Sequence, residues 1–205
     1  MQFTSTYLNQ VQETVSALPI SDIDAAIQVL IEAKNQGQTI FLCGNGGSAA
    51  TASHMACDLA KNIRVPGNGR FRVIALTDNV PLMTAWGNDT DFSNIFSEQM
   101  RPLVQPGDVL IAISTSGNSP NVVKAVEVAQ DAGAITIGMT NQVGGILKDR
   151  VDYCIVVPST NIEVVEDVHM VLAHCIANGI RERIKLQASL TAVPSHYEAV
   201  LAPLG

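Results

Sequence analysis

The stretch Ile111-Ala-Ile-Ser-Thr-Ser-Gly-Asn-Ser-Pro-Asn121 runs an apolar strand straight into hydroxyl residues and a glycine, and then into the start of a helix. Ser119 stands at the N-cap position and Pro120 at the first helical position. Val122, Val123, Ala125, Val126 and Val128 carry the apolar pattern onward. A loop ending on a helix N-terminus presents free backbone N–H groups, hydroxyls and the positive end of a dipole to one small anion. No lysine lies in the loop, so a phosphate bound there is met by aligned dipoles rather than by an ammonium.

Outward from this unit the alternation repeats. Strands are predicted at 39–43, 72–76, 108–113, 134–139 and 153–157, and helices at 48–63, 92–103, 120–132 and 162–186. Near-continuous apolar strands alternating with helices predict an α/β sandwich around a mostly parallel, five-stranded sheet. Two amphipathic helices precede the first strand, at 2–18 and 21–36, the second opening at Ser21-Asp22 and stopping at Gly37. They exceed what one small sheet needs, so residues 1–37 are expected to pack against another subunit. The tail 187–205, with Pro194 and Pro203, has weak periodicity and reads as an arm or a disordered segment.

The composition is that of a single domain, 1–205, with a full core: 205 residues at 47% hydrophobic content. A formal net charge of -7 argues against nucleic acid as a partner, because affinity for a phosphate backbone rests on Lys and Arg. No apolar run approaches the roughly 20 residues of a membrane span, and the N-terminus shows no basic n-region. The expectation is a cytoplasmic protein without a membrane partner. Cys43, Cys57, Cys154 and Cys175 form no C-x-x-C pair and read as reduced core residues.

The first strand–helix junction is Phe41-Leu-Cys-Gly-Asn-Gly-Gly-Ser-Ala-Ala50. Gly44, Gly46 and Ala49 formally satisfy the dinucleotide fingerprint G-x-G-x-x-A, but the acid that should follow the second strand is missing. The first candidate, Asp78, comes far too late for a ribose ligand. A dinucleotide-dependent oxidoreductase is therefore disfavoured, and the absence of G-K-[ST] excludes a Walker loop. A plain tight turn also explains the glycines. The reading preferred here is a loop whose backbone approaches a polar ligand, sharing one crevice with the 114–119 loop.

His54 and Asp58, four apart, lie on one face of the helix that follows. The last helix adds Glu163, Glu166, Asp167, His169 and His174 amid valines, with Glu166, Met170 and His174 on one stripe. Such groups are costly to bury unless paired or used. Glu163 and Asp167 read equally well as solvated, and His54/Asp58 as a surface pair. Two His and two carboxylates from two helices can make a metal site or an acid/base set.

Asn45-Gly-Gly-Ser-Ala-Ala50, His54, Asn88-Asp89, Ile113-Ser-Thr-Ser-Gly-Asn-Ser119 and Glu166 to His174 together resemble the sugar isomerase (SIS) domain and, within it, the phosphoheptose isomerases. The likeness runs from about residue 2 to 186. It implies a flavodoxin-like three-layer sandwich, a homotetramer with sites at subunit interfaces, and zinc. By position, Asn45, Gly46 and Gly47 match the family's first substrate loop, Asn88 and Asp89 its second, and Ser114, Thr115, Ser116 and Ser119 its phosphate loop. His54 and His174 match metal ligands, and His174 also the catalytic histidine. Two positions depart from the pattern. Asp58 stands where the family has a Glu that is base and ligand, and Glu166 where it has Gln.

The activity implied is isomerisation of a ketose phosphate and an aldose phosphate, sedoheptulose 7-phosphate or a related sugar phosphate, by proton transfer between C1 and C2 through an enediol. Asp58 or Glu166 is the base, His174 the acid/base partner, and zinc, held by His54, Asp58, Glu166 and His174, polarises the C1/C2 oxygens. The alternative is a non-catalytic SIS-type regulator that binds a sugar phosphate or a protein, like the family member that associates with the replication initiator.

Overall fold

The computed structural model describes residues 2–191. Helices α1 (Gln2–Ser16) and α2 (Ile20–Asn35) lead into β1 (Thr39–Gly44) and α3 (Gly47–Cys57), which runs on into a π-helical turn, Asp58–Asn62. Then come β2 (Arg72–Ala75), α4 (Val80–Asp89), a 3-10 turn Phe92–Asn94, α5 (Ser97–Met100), β3 (Val109–Ile113) and α6 (Pro120–Asp131). The chain ends with β4 (Ile135–Thr140), α7 (Gly145–Arg150), β5 (Tyr153–Val156) and α8 (Ile162–Thr191).

The five strands form one sheet in the order β2-β1-β3-β4-β5, and every pairing is parallel. Leu42 faces Ile111 across β1–β3, and Ile111 faces Ile137 across β3–β4. Alternation along β3 shows why the strands read as continuous apolar runs. Val109, Ile111 and Ile113 pack with α2, α3 and α8, while Leu110 and Ala112 pack with Phe96, Met100 and the Val122, Ala125, Val126 face of α6. Helices thus cover both faces, as a parallel sheet requires. The strand order reverses direction between β1 and β3, so the crevice outside their carboxyl ends is where a ligand is expected. Both quoted loops leave the sheet there.

The structure corrects several boundaries. Residues 92–103 do not form one helix; they hold the 3-10 turn and the single helical turn α5. Helix α4 was not anticipated, because none of its residues is fully buried and only Met83, Trp86 and Gly87 are half-buried; Asn79 starts it by accepting the Leu82 N–H at 3.1 Å. Helix α7 was missed for a similar reason, burying only Leu147. Helix α2 opens at Ile20, directly after Pro19, rather than at Ser21. Helix α8 continues beyond 186 to Thr191, and the rest of the tail lies outside the described residues. Cys43 is buried, but Cys57 and Cys175 are exposed, so only part of the cysteine set is core; all four are free thiols.

Helix α1 lies on α8, where the Tyr7 hydroxyl donates to Asp167 Oδ2 at 2.6 Å. Its Phe3 and Leu8 stay exposed. No single described helix is long and apolar enough to cross a membrane. The pair α1 and α2 passes by length and composition, but is bent by 66° between them, and α2 supplies much of the core.

Candidate active site

The 114–119 loop is held from below and from the side. The Ser114 N–H donates to the Met139 carbonyl at 3.0 Å, the Asn141 N–H to the Thr115 carbonyl at 3.1 Å, and the Leu147 N–H to the Gly117 carbonyl at 3.0 Å. Gly117 has φ +67°, and a Cβ there would run into the Gly144 carbonyl, so the turn needs glycine. Ser119 has N-cap backbone angles, φ −63° and ψ 117°, but its hydroxyl shares a hydrogen bond with the Ser114 hydroxyl at 3.1 Å instead of capping α6. The first N–H groups of α6 are thereby left without that cap, at the mouth of a cavity of about 380 Å³. Thr115 Oγ1 is buried there without a hydrogen-bond partner among the described residues, a costly omission unless a ligand supplies one.

The first loop meets the second through a reciprocal amide pair. Asn45 Nδ2 donates to Asn121 Oδ1 and Asn121 Nδ2 to Asn45 Oδ1, each at 2.8 Å. Asn45, Ser48, Ser114, Thr115, Ser116, Ser119 and Glu166 all line the cavity. Gly47 is the point of closest approach: a Cβ on it would lie 2.7 Å from Cδ of Glu166. The missing side chain is what lets the α8 carboxylate come down beside the loop. Glu166 is the only charged residue lining this cavity, and it makes no hydrogen bond or ion pair among the described residues.

Asn88 lines a neighbouring cavity of about 560 Å³ that shares Asn45 and is walled by Met83, Phe92 and Phe96. Asn88 donates to the Asp89 carboxylate at 2.9 Å, so the two expected substrate residues bind each other.

His54, Asp58 and His174 come together at the far end of α3 from Gly47. Their ligand atoms all lie within 4.8 Å of one another. The two Nε2 atoms are 2.9 Å apart, and Asp58 Oδ2 is 3.5 Å from that of His54 and 3.8 Å from that of His174. Donor atoms bound to one metal at roughly 2.0–2.2 Å stand about 3.3 Å from each other, so the spacing and the N,N,O donor set fit a divalent cation. Asp58 is 7% exposed, whereas about half of each imidazole side chain reaches solvent. The remaining Asp58 oxygen, Oδ1, accepts from Asn62 Nδ2 at 2.5 Å.

Glu166, expected in the same ligand set, is not part of this cluster. Eight residues of α8 separate it from His174, which is about 12 Å along the helix axis. Within one chain it belongs to the loop cavity. Sequence reasoning missed Asn62, Ser48 and Asn121, although Asn62 follows Asp58 at the same spacing of four that singled out His54/Asp58. His169, on the same helix, is fully buried with neither ring nitrogen partnered; it faces the Thr140 backbone short of hydrogen-bond geometry. Burial pushes its pKa down to about 4, so it is a neutral core residue.

The SIS domain family model matches residues 5–141, and a second SIS domain model matches residues 92–202. The chain belongs to the SIS domain family. It is 35% identical over 185 residues to the phosphoheptose isomerase of Crocosphaera subtropica, covering 90% of this chain and 94% of that one. Among solved structures, phosphoheptose isomerase GmhA from Neisseria gonorrhoeae superposes with a TM-score of 0.80 at 29% identity, over 88% of this chain and 96% of that one. A phosphoheptose isomerase from Francisella tularensis gives 0.79 at 32% identity, over 89% and 95%. Both SIS family loops fall within the matched region, at the carboxyl ends of β1 and β3.

Proposed function

We propose that this protein is a sugar-phosphate isomerase interconverting sedoheptulose 7-phosphate and D-glycero-D-manno-heptose 7-phosphate through an enediol. The observation that carries this is the cavity in which a cation-free hydroxyl loop and a hydrogen-bond-free carboxylate, Glu166, face the same space. Likeness to the phosphoheptose isomerases supplies the substrate. The phosphate sits on Ser114, Thr115, Ser116, Ser119 and the α6 N-terminus, with the buried Thr115 hydroxyl gaining its missing partner. Asn45, held by Asn121, and Asn88 with Asp89 orient the sugar hydroxyls.

The base must be a carboxylate not committed elsewhere. Asp58 has one oxygen held by Asn62 and the other turned toward two imidazoles, whereas the Glu166 carboxylate has no partner among the described residues. Glu166 is therefore assigned the carbon-bound proton and His174, through Nδ1 since its Nε2 faces the cation site, the proton that moves between O1 and O2. His54, Asp58 and His174 would hold zinc, which supplies polarisation of the C1 and C2 oxygens when bound. From its own chain Glu166 cannot be the fourth donor.

The same separation supports an assembly, which we take to be a homotetramer in the cytoplasm. One substrate meets both Glu166 and the half-exposed histidines only if a second copy brings one of them across. Exposed Phe3, Leu8 and Val171 on α1 and α8 offer apolar surface for that contact. The test is incubation with sedoheptulose 7-phosphate in D2O, followed by NMR. The aldose should appear with solvent deuterium at C2; no conversion would overturn the reading.

A further inference from the structure

We infer that Asn62 is a positioning residue that commits Asp58 to hold the cation through a single oxygen. The inference rests on the reading of His54, Asp58 and His174 as a cation site. Asn62 Nδ2 donates to Asp58 Oδ1 at 2.5 Å, which leaves Oδ2 as the oxygen turned toward both Nε2 atoms, at 3.5 and 3.8 Å. An aspartate side chain can interchange its two oxygens by turning about its last bond; a donor fixed on one of them stops that motion. Both residues belong to the π turn Asp58–Asn62, the one interruption between α3 and the loop that follows.

A rival for the carboxylate makes the contact matter. Arg181 lines the same hollow of about 300 Å³ with His54, Asp58, Asn62 and His174. Its guanidinium is engaged by Asn178 and by Glu182. Without Asn62 the Asp58 carboxylate is free to turn toward Arg181, and a carboxylate paired with arginine is a poorer ligand. Asn62 thus keeps the cation site and the arginine apart.

The experiment is zinc affinity, measured by competition with a chromogenic chelator, on the full chain and on Asn62→Leu, Asn62→Asp and Asn62→Gln. The first two lose the donor, and Asn62→Asp keeps the shape while doing so. Both should bind zinc about 10- to 100-fold more weakly, the size typical of groups that orient a ligand. Asn62→Gln, which retains an amide donor, should recover part of that loss. Binding of inorganic phosphate should be unchanged in all three, since the loop cavity is elsewhere. Tight zinc binding by the parent that is unaltered in Asn62→Leu and Asn62→Asp overturns this inference alone. A parent that binds no zinc overturns the cation-site reading together with it.

Discussion

The loop cavity at the start of α3 and the histidine cluster at its end are built in opposite ways. The cavity is mostly backbone and hydroxyl, set by two short contiguous stretches at the ends of β1 and β3, with its carboxylate left unbonded. The cluster is three side chains from two helices, its carboxylate hydrogen-bonded by Asn62 on one oxygen and turned toward two imidazoles with the other. One region binds a ligand through preformed dipoles and needs little from neighbours. The other is half open to solvent, and His174 stands about 12 Å from Glu166 along the α8 axis. The comparison separates the two unusual carboxylates by environment, which is what the proposed roles of Asp58 as a ligand and Glu166 as a base rest on.

If the two regions must meet across copies, a dissociated chain has no complete site. Light scattering with activity followed on dilution should show turnover disappearing with the assembly, the largest effect expected. A concentration-independent monomer that turns over substrate would break the account of the interface.

Restoring the family's carboxylates probes the division of roles. Glu166→Gln alone should cost roughly 100-fold or more in kcat, and adding Asp58→Glu should recover part of it, since a 1 Å change in the reach of a base is on the order of 100-fold. Equal activity of the single and the double variant would count against exchanged roles.

The buried His169 predicts a pH effect on stability that is independent of both regions. Its folded pKa is about 4, against 6.5 for an ordinary imidazole, because burial opposes charge. The unfolded chain therefore binds a proton that the folded chain refuses, and stability falls as pH drops from 6.5 toward 4. The loss reaches about 3 kcal/mol. His169→Leu should remove that component, seen in chemical denaturation at a series of pH values. An identical pH slope in the variant would contradict it.

The smallest effect is expected at the phosphate seat. Ser116→Ala and Ser119→Ala should each raise KM by about 10-fold with kcat less changed, because these hydroxyls bind substrate and transition state alike. Steady-state kinetics on each variant decide it. A fall in kcat at constant KM would place these hydroxyls in the chemistry instead.

The cavity was legible in the sequence because its parts are adjacent: apolar strand, hydroxyl run, glycine and Pro120 sit in one window, and the same holds for Gly44 to Gly47. Parallel topology was legible for the related reason that β1 and β3 are apolar on both faces. Helix α4 was not, since a ten-residue helix with only Met83, Trp86 and Gly87 half-buried leaves too short a period to read. The π turn was not, since one widened turn changes no residue type. Glu166 was grouped with His174 on a common helical stripe. Their separation of eight positions already implied about 12 Å, more than one cation can span within one chain. Residues on one face need not share one site.

Zinc content and kcat measured on the same preparations of Asp58→Asn and Glu166→Gln test the division of labour most directly. The account predicts that Asp58→Asn loses zinc while Glu166→Gln keeps it and loses turnover. Zinc lost from Glu166→Gln, or full turnover retained by it, would contradict the assignment of Glu166 as the base.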